Sequence, residues 1–230
     1  MTNDVKNISR RLFITATDTD AGKTLVTSAL LYLLGQTHST TAFKPISAGC
    51  DVVGKELVND DAAKLKHYAN SDQSLFSVNP IAFEEPIAPH IAAANFNRTI
   101  TLSELENHYD KQLPEADYLL TEGAGGWRLP LGKGVFLSEF AVSTQQDIIL
   151  VVNMKLGCLN HAVLTYQTIR NDGLNVVAWV ANCQSEMDYL NENIKELSTL
   201  IDAPCLGKVP HVGSIEEAAL HLDIKPLLSR

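Results

Sequence analysis

The sequence predicts an α/β protein whose parallel sheet is covered by helices on both faces. Apolar runs of strand length recur along the chain, and segments with apolar residues at helical spacing lie between them. Strands about 25 to 35 residues apart with an intervening helix imply right-handed crossovers, which set the strands parallel. A loop of small and polar residues at residues 17–24 joins the first strand directly to the first helix.

The predicted sheet consists of short apolar segments. Residues 11–16 form the first strand, and residues 40–43 end at Lys44 and Pro45, where the proline disfavours a helix. Residues 117–122 run into a glycine-rich loop, where the backbone can approach a ligand closely. The remaining strands are predicted at residues 147–152, 175–181 and 205–209.

Helical segments are predicted between these strands. Residues 25–34 carry apolar side chains at helical spacing, and residues 59–68 begin with acidic residues, which the positive end of a helix dipole favours. The region from 71 to 98 contains three prolines and is predicted to be irregular apart from one short helix. The other predicted helices span residues 102–109, 158–170 and 189–200.

Length and composition indicate one globular domain. The chain has 230 residues, of which 45% are hydrophobic and 20% are charged, and no run rich in Pro, Gly or Ser divides it. We expect residues 1–10 to form a flexible N-terminus and residues 11–230 to form a single domain.

The charge distribution argues against a nucleic-acid or membrane partner. The formal net charge is −9, and Lys and Arg are not clustered. No segment is apolar over enough residues to cross a bilayer, and the first residues lack the apolar core of a secretory signal, so we expect a cytoplasmic protein. The 4 cysteines are widely spaced without a C-x-x-C pattern, which predicts reduced thiols rather than zinc ligands or disulfides.

The loop before the first helix has the composition of a phosphate-binding loop. Backbone N–H groups at a helix start are unpaired and carry the positive end of the dipole, so they bind anions. Lys23 supplies a positive charge for the β- and γ-phosphates of a nucleotide, and the Thr24 hydroxyl is placed to ligate Mg²⁺. A strict G-x-x-x-x-G-K-[ST] motif has Gly where Thr17 stands. The strand before the loop and the helix after it nevertheless favour a P-loop NTPase-like fold over a chance Gly-Lys-Thr.

Two charged residues, one ending a predicted strand and one directly following another, lie at the edge where parallel sheets bind ligands. Glu122 suits a Mg²⁺ ligand or a residue that positions water, and the alternative is a surface acid at a strand end. Lys44 suits the stabilisation of charge on a transferred phosphoryl group, and the alternative is a solvated surface lysine.

Three further residues each have two interpretations. Asp61 is either a second oxygen ligand for a cation or an acidic first-turn residue. Asn160 either opens a helix start that binds a carboxylate or caps that helix. Asn182 either contacts the edge of an adenine or lies in a turn. His90 and His161 have no partner at metal-ligand spacing and are predicted to be structural.

These residues carry a resemblance to a known family. The chain resembles the dethiobiotin synthetases, and the resemblance extends from the first strand to about residue 216. The most specific matches are EGAGGW at residues 122–127 and LGCLNH at residues 156–161. The other matches are TDTDAGKT at 17–24, KP at 44–45, Asp61, EPIAPH at 85–90, WVAN at 179–182 and APCLG at 203–207.

The resemblance implies a homodimeric, ATP-dependent ligase of biotin biosynthesis, with residues 11–230 as its P-loop carboxylase domain. Its implied ligands are MgATP, CO₂ or bicarbonate, and 7,8-diaminopelargonate. CO₂ adds to one amine of the diamine to give a carbamate, and the carbamate takes the γ-phosphoryl group of ATP. The second amine then closes the ureido ring, which gives dethiobiotin, ADP and phosphate.

The resemblance also implies roles for individual residues. Lys23 and Lys44 would be catalytic, because they offset the repulsion between the triphosphate and the carbamate. The implied Mg²⁺ ligands are Thr24, Asp61 and Glu122. The implied ATP contacts are Asp20, Ala21, Gly22, Lys23, Thr24, Leu25, Asp61, Glu122, Gly123, Ala124, Gly125, Asn182, Cys183, Pro210, His211 and Val212. The implied substrate contacts are Thr19, Lys44, Ser47, Ala48, Gly157, Cys158, Leu159, Asn160 and Tyr189, and the last five lie at the implied dimer interface.

Three positions depart from the family pattern. Ala16 stands where the family usually begins its loop with Gly. Ala48 stands where Ser or Thr is common near the diamine, and Ser47 is a candidate to replace that hydroxyl. Cys183 stands where an acidic residue is frequent near the nucleotide.

Two rival functions share the phosphate loop. Amidotransferase-type cobyrinic acid synthetases are expected to carry a glutaminase domain, for which this chain has no remaining length. Partitioning-type ATPase switches place a signature lysine near the start of the loop, where this sequence has Asp18. The sequence therefore favours the ligase over both.

Overall fold

The computed structural model describes residues 10–113 and 116–228. The predicted flexible segment 1–10 lies outside the described residues, with the exception of Arg10, which is the first residue of the first strand. Within the described part of the chain, no helix is both long enough and apolar enough to span a membrane.

The strands and helices alternate along most of the described chain. The strands are β1 Arg10–Ala16, β2 Thr40–Phe43, β3 Ile46–Ser47, β4 Asp51–Val53, β5 Glu56–Val58, β6 Ile81–Ala82, β7 Tyr118–Glu122, β8 Pro130–Gly132, β9 Val135–Phe136, β10 Asp147–Asn153, β11 Val176–Cys183 and β12 Cys205–Pro210. The helices are α1 Lys23–Leu34, α2 Asp60–Tyr68, α3 Leu75–Val78, α4 Pro89–Asn95, α5 Leu102–Asp110, α6 Leu137–Ser143, α7 Cys158–Asn171, α8 Leu190–Leu200, α9 Ile215–Ala219 and α10 Lys225–Leu228.

The main sheet of the described residues has six strands in the order β12-β11-β10-β1-β7-β2. All neighbouring strands in it are parallel, as the spacing of strands and helices predicted. The six predicted strands are confirmed. Strand β1 lies between β10 and β7, so its carboxyl end and the phosphate loop that follows it are central in the sheet.

The region from 71 to 98 differs from its prediction. It contains two short helices, α3 and α4, and the strand β6, where the sequence predicted one helix in irregular chain. Pro89 is the first residue of α4, a position where the missing N–H costs no helical hydrogen bond. Ser74 caps α3, because its hydroxyl accepts a hydrogen bond from the Ser77 N–H at 3.0 Å. Pro89 therefore starts a helix here instead of interrupting one.

Buried side chains on both faces of the sheet form the core. Leu12 and Ile14 of β1 pack on the face covered by α1. Phe13 points to the opposite face, where its ring meets Trp127 edge-on with the centroids 5.9 Å apart. Because side chains alternate along a strand, β1 is buried on both faces, and its backbone is held firmly where the loop begins.

Leu30→Ala tests how strongly α1 is held on the sheet. Leu30 is 0% exposed, so the substitution removes buried methyl groups and leaves a cavity, and we expect unfolding to become easier by about 2–5 kcal/mol. Urea denaturation measures the change. Leu200→Ala is the matched control, since Leu200 is 43% exposed at the end of α8 and should lose less than about 1 kcal/mol. Equal losses in the two variants would contradict this account of the packing.

Candidate functional site

A cleft of about 920 Å³ opens at the carboxyl ends of β1, β7 and β2. The phosphate loop and the residues at and after the ends of β2 and β7 line the cleft. A short apolar segment at residues 86–89, just before and at the start of α4, also lines it. The three strands are neighbours in the sheet, so their loops converge on one place.

Gly22 makes the turn from the loop into α1. Its φ of +83° lies in the left-handed region, and a Cβ at this position would lie 1.9 Å from Nδ2 of Asn182. Only glycine fits such a close approach. Among the described residues, no side chain caps the start of α1, so its first N–H groups remain available to an anion in the cleft.

Four side chains from separate elements meet in the cleft. The Lys44 ammonium donates to Oε1 of Glu122 and lies 3.2 Å from Oδ2 of Asp61. The Thr24 hydroxyl donates to the same Glu122 oxygen at 3.0 Å. Glu122 is 0% exposed and Lys44 is 4% exposed. Neither is the solvated surface residue that the sequence left as an alternative, and Asp61 is both a first-turn residue of α2 and a partner of Lys44.

The charges in this cluster fix the protonation of Lys44. Burial pulls the pKa of Lys44 down, but the carboxylates of Glu122 and Asp61 outweigh burial and raise the pKa above its ordinary value of 10.5. Burial likewise acts to raise the pKa of Asp61, but the Lys44 ammonium and the Thr24 hydroxyl outweigh it and hold that pKa below 3.8. At neutral pH Lys44 is therefore a cation and Asp61 an anion.

Lys23 has a different environment. Its ammonium donates to the backbone carbonyl of Asp18 at 3.3 Å, inside the phosphate loop. Burial is the largest cause of its shift and lowers the pKa of Lys23 below 10.5, and the carboxylate of Glu122 offsets burial only in part. The side chain thus lacks a full countercharge, which the phosphates of a nucleotide would supply.

The cluster has the oxygen donors that Mg²⁺ prefers. Oε2 of Glu122 is buried and has no hydrogen-bond partner among the described residues. Together with Asp61 and the Thr24 hydroxyl, it offers hard oxygen ligands. Over residues 10–113 and 116–228, no group of three or more His, Cys, Asp or Glu gathers around one point. The donor set therefore fits an ion that takes its remaining ligands from nucleotide phosphates and water.

Most of the predicted site residues lie around this cleft. Those that line it are Thr19, Asp20, Gly22, Lys23, Thr24, Leu25, Lys44, Ser47, Ala48, Asp61, Glu122, Gly123, Ala124, Gly125 and Val212. Ala21, within the loop, is buried. Cys183, Pro210 and His211 lie at or beyond the ends of β11 and β12 and do not line the cleft.

Asn182 is buried within β11 and does not lie in a turn. Its Nδ2 donates to the Ala21 carbonyl at 2.7 Å, and its Oδ1 accepts from Nε2 of Gln184 at 3.0 Å. The side chain therefore supports the phosphate loop from below, while Gln184 lines the cleft. The adenine contact of Asn182 stays a prediction.

The predicted carboxylate-binding residues lie away from this cleft. Residues 157–160 form the start of α7, with Gly157 as the N-cap at φ +90°, so the idea that Asn160 caps the helix is wrong. Leu156 beside them is 95% exposed, and Tyr189 before α8 is 76% exposed. Within one chain these residues do not join the site.

Several cleft residues were not predicted. Residues 86–89 belong to the EPIAPH match, which is the sequence signal that points to them. Asn59, which caps α2, and the apolar Ile46 and Leu129 carry no recognisable chemical pattern, and only the fold places them here.

The loop between β1 and α1, with Lys23, Thr24 and the acidic residues opposite, defines a P-loop nucleotide-binding protein. The AAA domain family matches residues 10–219. The chain is 45% identical over 223 residues to the ATP-dependent dethiobiotin synthetase BioD of Cellvibrio japonicus. This match covers 95% of this chain and 98% of that protein. It is 37% identical over 227 residues to the BioD protein of Tolumonas auensis, and the match covers 96% of this chain and 100% of that protein. The chain belongs to the ATP-dependent dethiobiotin synthetase family.

Solved structures share the fold at much lower identity. A ParA family ATPase from Chlorobium tepidum superposes with a TM-score of 0.53 at 14% identity, covering 93% of this chain and 89% of that one. A chain of the MinC:MinD cell division protein complex of Aquifex aeolicus superposes with a TM-score of 0.54 at 15% identity, covering 94% of this chain and 88% of that one. These likenesses confirm the predicted P-loop α/β fold.

The low pKa of Lys23 predicts proton uptake when a nucleotide binds. Phosphate charge raises that pKa, so at alkaline pH the complex holds a proton that part of the free protein has lost. ATP binding should therefore take up protons, and the affinity for ATP should increase as the pH falls through the pKa of Lys23 in the free protein. Calorimetric titrations in two buffers of different ionisation enthalpy measure the uptake. Lys64→Met, at an exposed lysine paired with Asp60, should leave it unchanged, and Lys23→Met should abolish it. Proton release on binding would contradict the assignment.

Proposed function

We propose that this chain is an ATP-dependent dethiobiotin synthetase, a ligase that closes a cyclic urea on 7,8-diaminopelargonate in biotin biosynthesis. The observation that carries the proposal is the Lys44 ammonium, buried between Glu122 and Asp61 beside a phosphate loop. This chain also matches proteins of that name over nearly its full length. We further propose a cytoplasmic enzyme, since ATP and bicarbonate are supplied there.

The proposed reaction has three steps. The first amine adds to CO₂ and loses a proton, which gives a carbamate. A carbamate oxygen attacks the γ-phosphorus of ATP, the bond to the β-phosphate oxygen breaks, and ADP leaves. The second amine attacks the carbonyl carbon of the resulting carbamic-phosphoric anhydride, loses a proton and expels phosphate.

The main barrier is the approach of two anions, the carbamate and the triphosphate. Lys23 and Lys44 place two buried ammonium groups at one cleft, where preorganised charges stabilise charge that develops during transfer. A Mg²⁺ ion held by Thr24, Asp61 and Glu122 would neutralise further phosphate charge. Because its pKa is raised, Lys44 stays protonated and serves as a fixed positive charge and not as a base.

A homodimer supplies the proposed site for the substrate carboxylate. The start of α7 presents N–H groups that no side chain of the described residues caps. Tyr189, the residue directly before α8, is exposed. These groups lie outside the cleft of one chain. We propose that dimerisation brings them to the diamine held in the cleft of the partner.

Substrate dependence tests the proposed function. ATP turnover should require both the diamine and bicarbonate, because the phosphoryl acceptor exists only after carboxylation. Release of ADP and mass detection of the cyclic urea measure the two products. Rapid ATP hydrolysis without the diamine would favour a nucleotide switch instead.

Lys44→Met tests the role of the buried ammonium. We expect kcat to fall about 10²–10³-fold, because a preorganised charge next to the transferred group is lost. Lys64→Met serves as the control, since it removes an exposed lysine of α2 whose ion pair with Asp60 is solvated. Circular dichroism in the presence of Mg²⁺ checks that both variants are folded. Unchanged turnover in folded Lys44→Met would remove Lys44 from the mechanism.

A further inference from the structure

Side chains, and not another strand, close the outer edge of the main sheet at β2. Among the described residues, β2 is the last strand in the order of this sheet, with β7 as its neighbour. An edge strand presents backbone N–H and C=O groups that need partners. On β2 these groups are removed from water, since Thr40 and Ala42 are 0% exposed. Their partners must therefore come from the protein.

Gln73 supplies the partners in the middle of this edge. Its Oε1 accepts a hydrogen bond from the Ala42 N–H at 2.8 Å, and its Nε2 donates to the Ala42 carbonyl at 2.9 Å. These bonds fix the orientation of the amide, because a flipped side chain would set oxygen against oxygen and N–H against N–H. One glutamine thus gives Ala42 both of the backbone bonds that a neighbouring strand would give.

The amide of Gln73 is itself held on every side. Its Nε2 also donates to Oε1 of Gln112 at 2.8 Å, and its Oε1 also accepts from the Ser71 hydroxyl at 3.0 Å. Gln112 donates in turn to the His108 carbonyl at 3.2 Å. Gln73 is 4% exposed, and both protons and both lone pairs of its amide are engaged. The side chain is therefore a rigid support for β2.

The rest of the same segment pairs with the two ends of β2. The Thr40 N–H donates to Oδ1 of Asn70 at 2.7 Å. The Lys44 N–H, directly after the strand, donates to the Val78 carbonyl at 2.7 Å. These bonds occur at every second residue, as they do along a strand that has a neighbour. Residues 70–79 thus take the place of a seventh strand.

We propose that Gln73 is a positioning residue, which fixes the edge strand β2 and thereby the place of the Lys44 ammonium beside the transferred phosphoryl group. The inference rests on the proposed function, which gives Lys44 its role in the transfer. Gln73 does not line the cleft, so it acts through β2.

The position of Lys44 is sensitive to this support. Lys44 follows Ala42 by two residues, and its ammonium must reach both Glu122 and Asp61. A displacement of about 1 Å in a catalytic group can cost about 10²-fold in rate. The phosphate loop, in contrast, follows β1 in the middle of the sheet and does not depend on this edge. Loss of the support should therefore lower kcat and leave the KM for ATP nearly unchanged.

Gln73→Leu tests the support, because it removes the amide at similar side-chain volume. We expect kcat to fall about 10-fold or more, while the KM for ATP stays within about twofold. Gln146→Leu is the matched control. Gln146 is 1% exposed, its Nε2 donates to the Thr144 hydroxyl at 2.9 Å, and it lies directly before β10, at the end of the sheet opposite the cleft. Circular dichroism checks that both variants are folded, and the control should keep the kcat of the wild type.

Gln73→Glu tests the positioning role through pH. An ionised carboxylate still accepts from the Ala42 N–H but cannot donate to the Ala42 carbonyl, whereas a protonated carboxyl can donate. Burial favours the protonated form, so the ratio of the variant's kcat to that of the wild type should rise as the pH is lowered. Gln73→Leu has no group to titrate at this position and should give a low ratio at every pH. Gln146→Glu, a buried acid away from β2, should give a ratio that does not change with pH.

Amide hydrogen exchange tests the hydrogen bonds without turnover. In Gln73→Leu the Ala42 N–H loses its partner, so peptides that contain residues 40–44 should exchange faster than in the wild type. In Gln146→Leu the exchange of these peptides should match the wild type.

The outcomes separate this inference from the proposed function. If the wild type does not convert the diamine, the proposed function fails, and the exchange measurement still decides whether Gln73 holds β2. If the wild type converts the diamine and folded Gln73→Leu keeps its kcat, the positioning role of Gln73 is overturned. An equal fall of kcat in Gln146→Leu, a Gln73→Glu ratio that is independent of pH, or unchanged exchange over residues 40–44 would likewise overturn it.

Discussion

The buried ion pair between Lys44 and Glu122 is the interaction on which the site depends. Both side chains are almost entirely removed from water, so each is stable there only because the other neutralises it. Removing one partner of such a pair generally costs about 3–5 kcal/mol, because the remaining charge is left buried and unpaired. The site is thus assembled in the folded protein before any ligand arrives, and a nucleotide meets charges already in place.

The register of the sheet produces this pair. Phe43 at the end of β2 lies opposite Thr121 of β7, so the next residues, Lys44 and Glu122, emerge side by side. Ile14 of β1 lies opposite Glu122 on the other side, and the phosphate loop begins three residues further along, at Thr17. A shift of one strand by one residue would turn one of the two charges to the other face of the sheet. The packing that fixes β1 in the sheet therefore also fixes the position of the phosphate loop relative to Lys44 and Glu122.

Much of the sheet and of the cleft could be predicted from the sequence. The six strands were recognisable as apolar runs of strand length, and Lys44 and Glu122 could be placed at a ligand-binding edge because parallel strands end together. Other features depend on contacts between distant residues. Asn182 supports the loop only because β11 passes beneath Ala21. Helix α4 begins at Pro89, in a region whose prolines predicted mostly irregular chain. The Ser47 hydroxyl donates to Oδ1 of Asn79, 32 residues away, and no local pattern encodes that hydrogen bond.

The entrance of the phosphate loop shows why the fold alone does not decide between a ligase and a nucleotide switch. Structures named as ParA family and MinD proteins share this fold at 14–15% identity, which carries no activity to this chain. This chain has Asp18, an acid next to a phosphate site, where a signature lysine is expected in partitioning-type switches. Its carboxylate is paired with Lys155 and accepts from Nδ2 of Asn153 at 3.3 Å, while its carbonyl accepts from Lys23. Lys155 therefore neutralises this acid within the chain, and the ion pair connects the loop to the segment before α7. Asp18 thus links the nucleotide site to the helix start proposed for the substrate carboxylate.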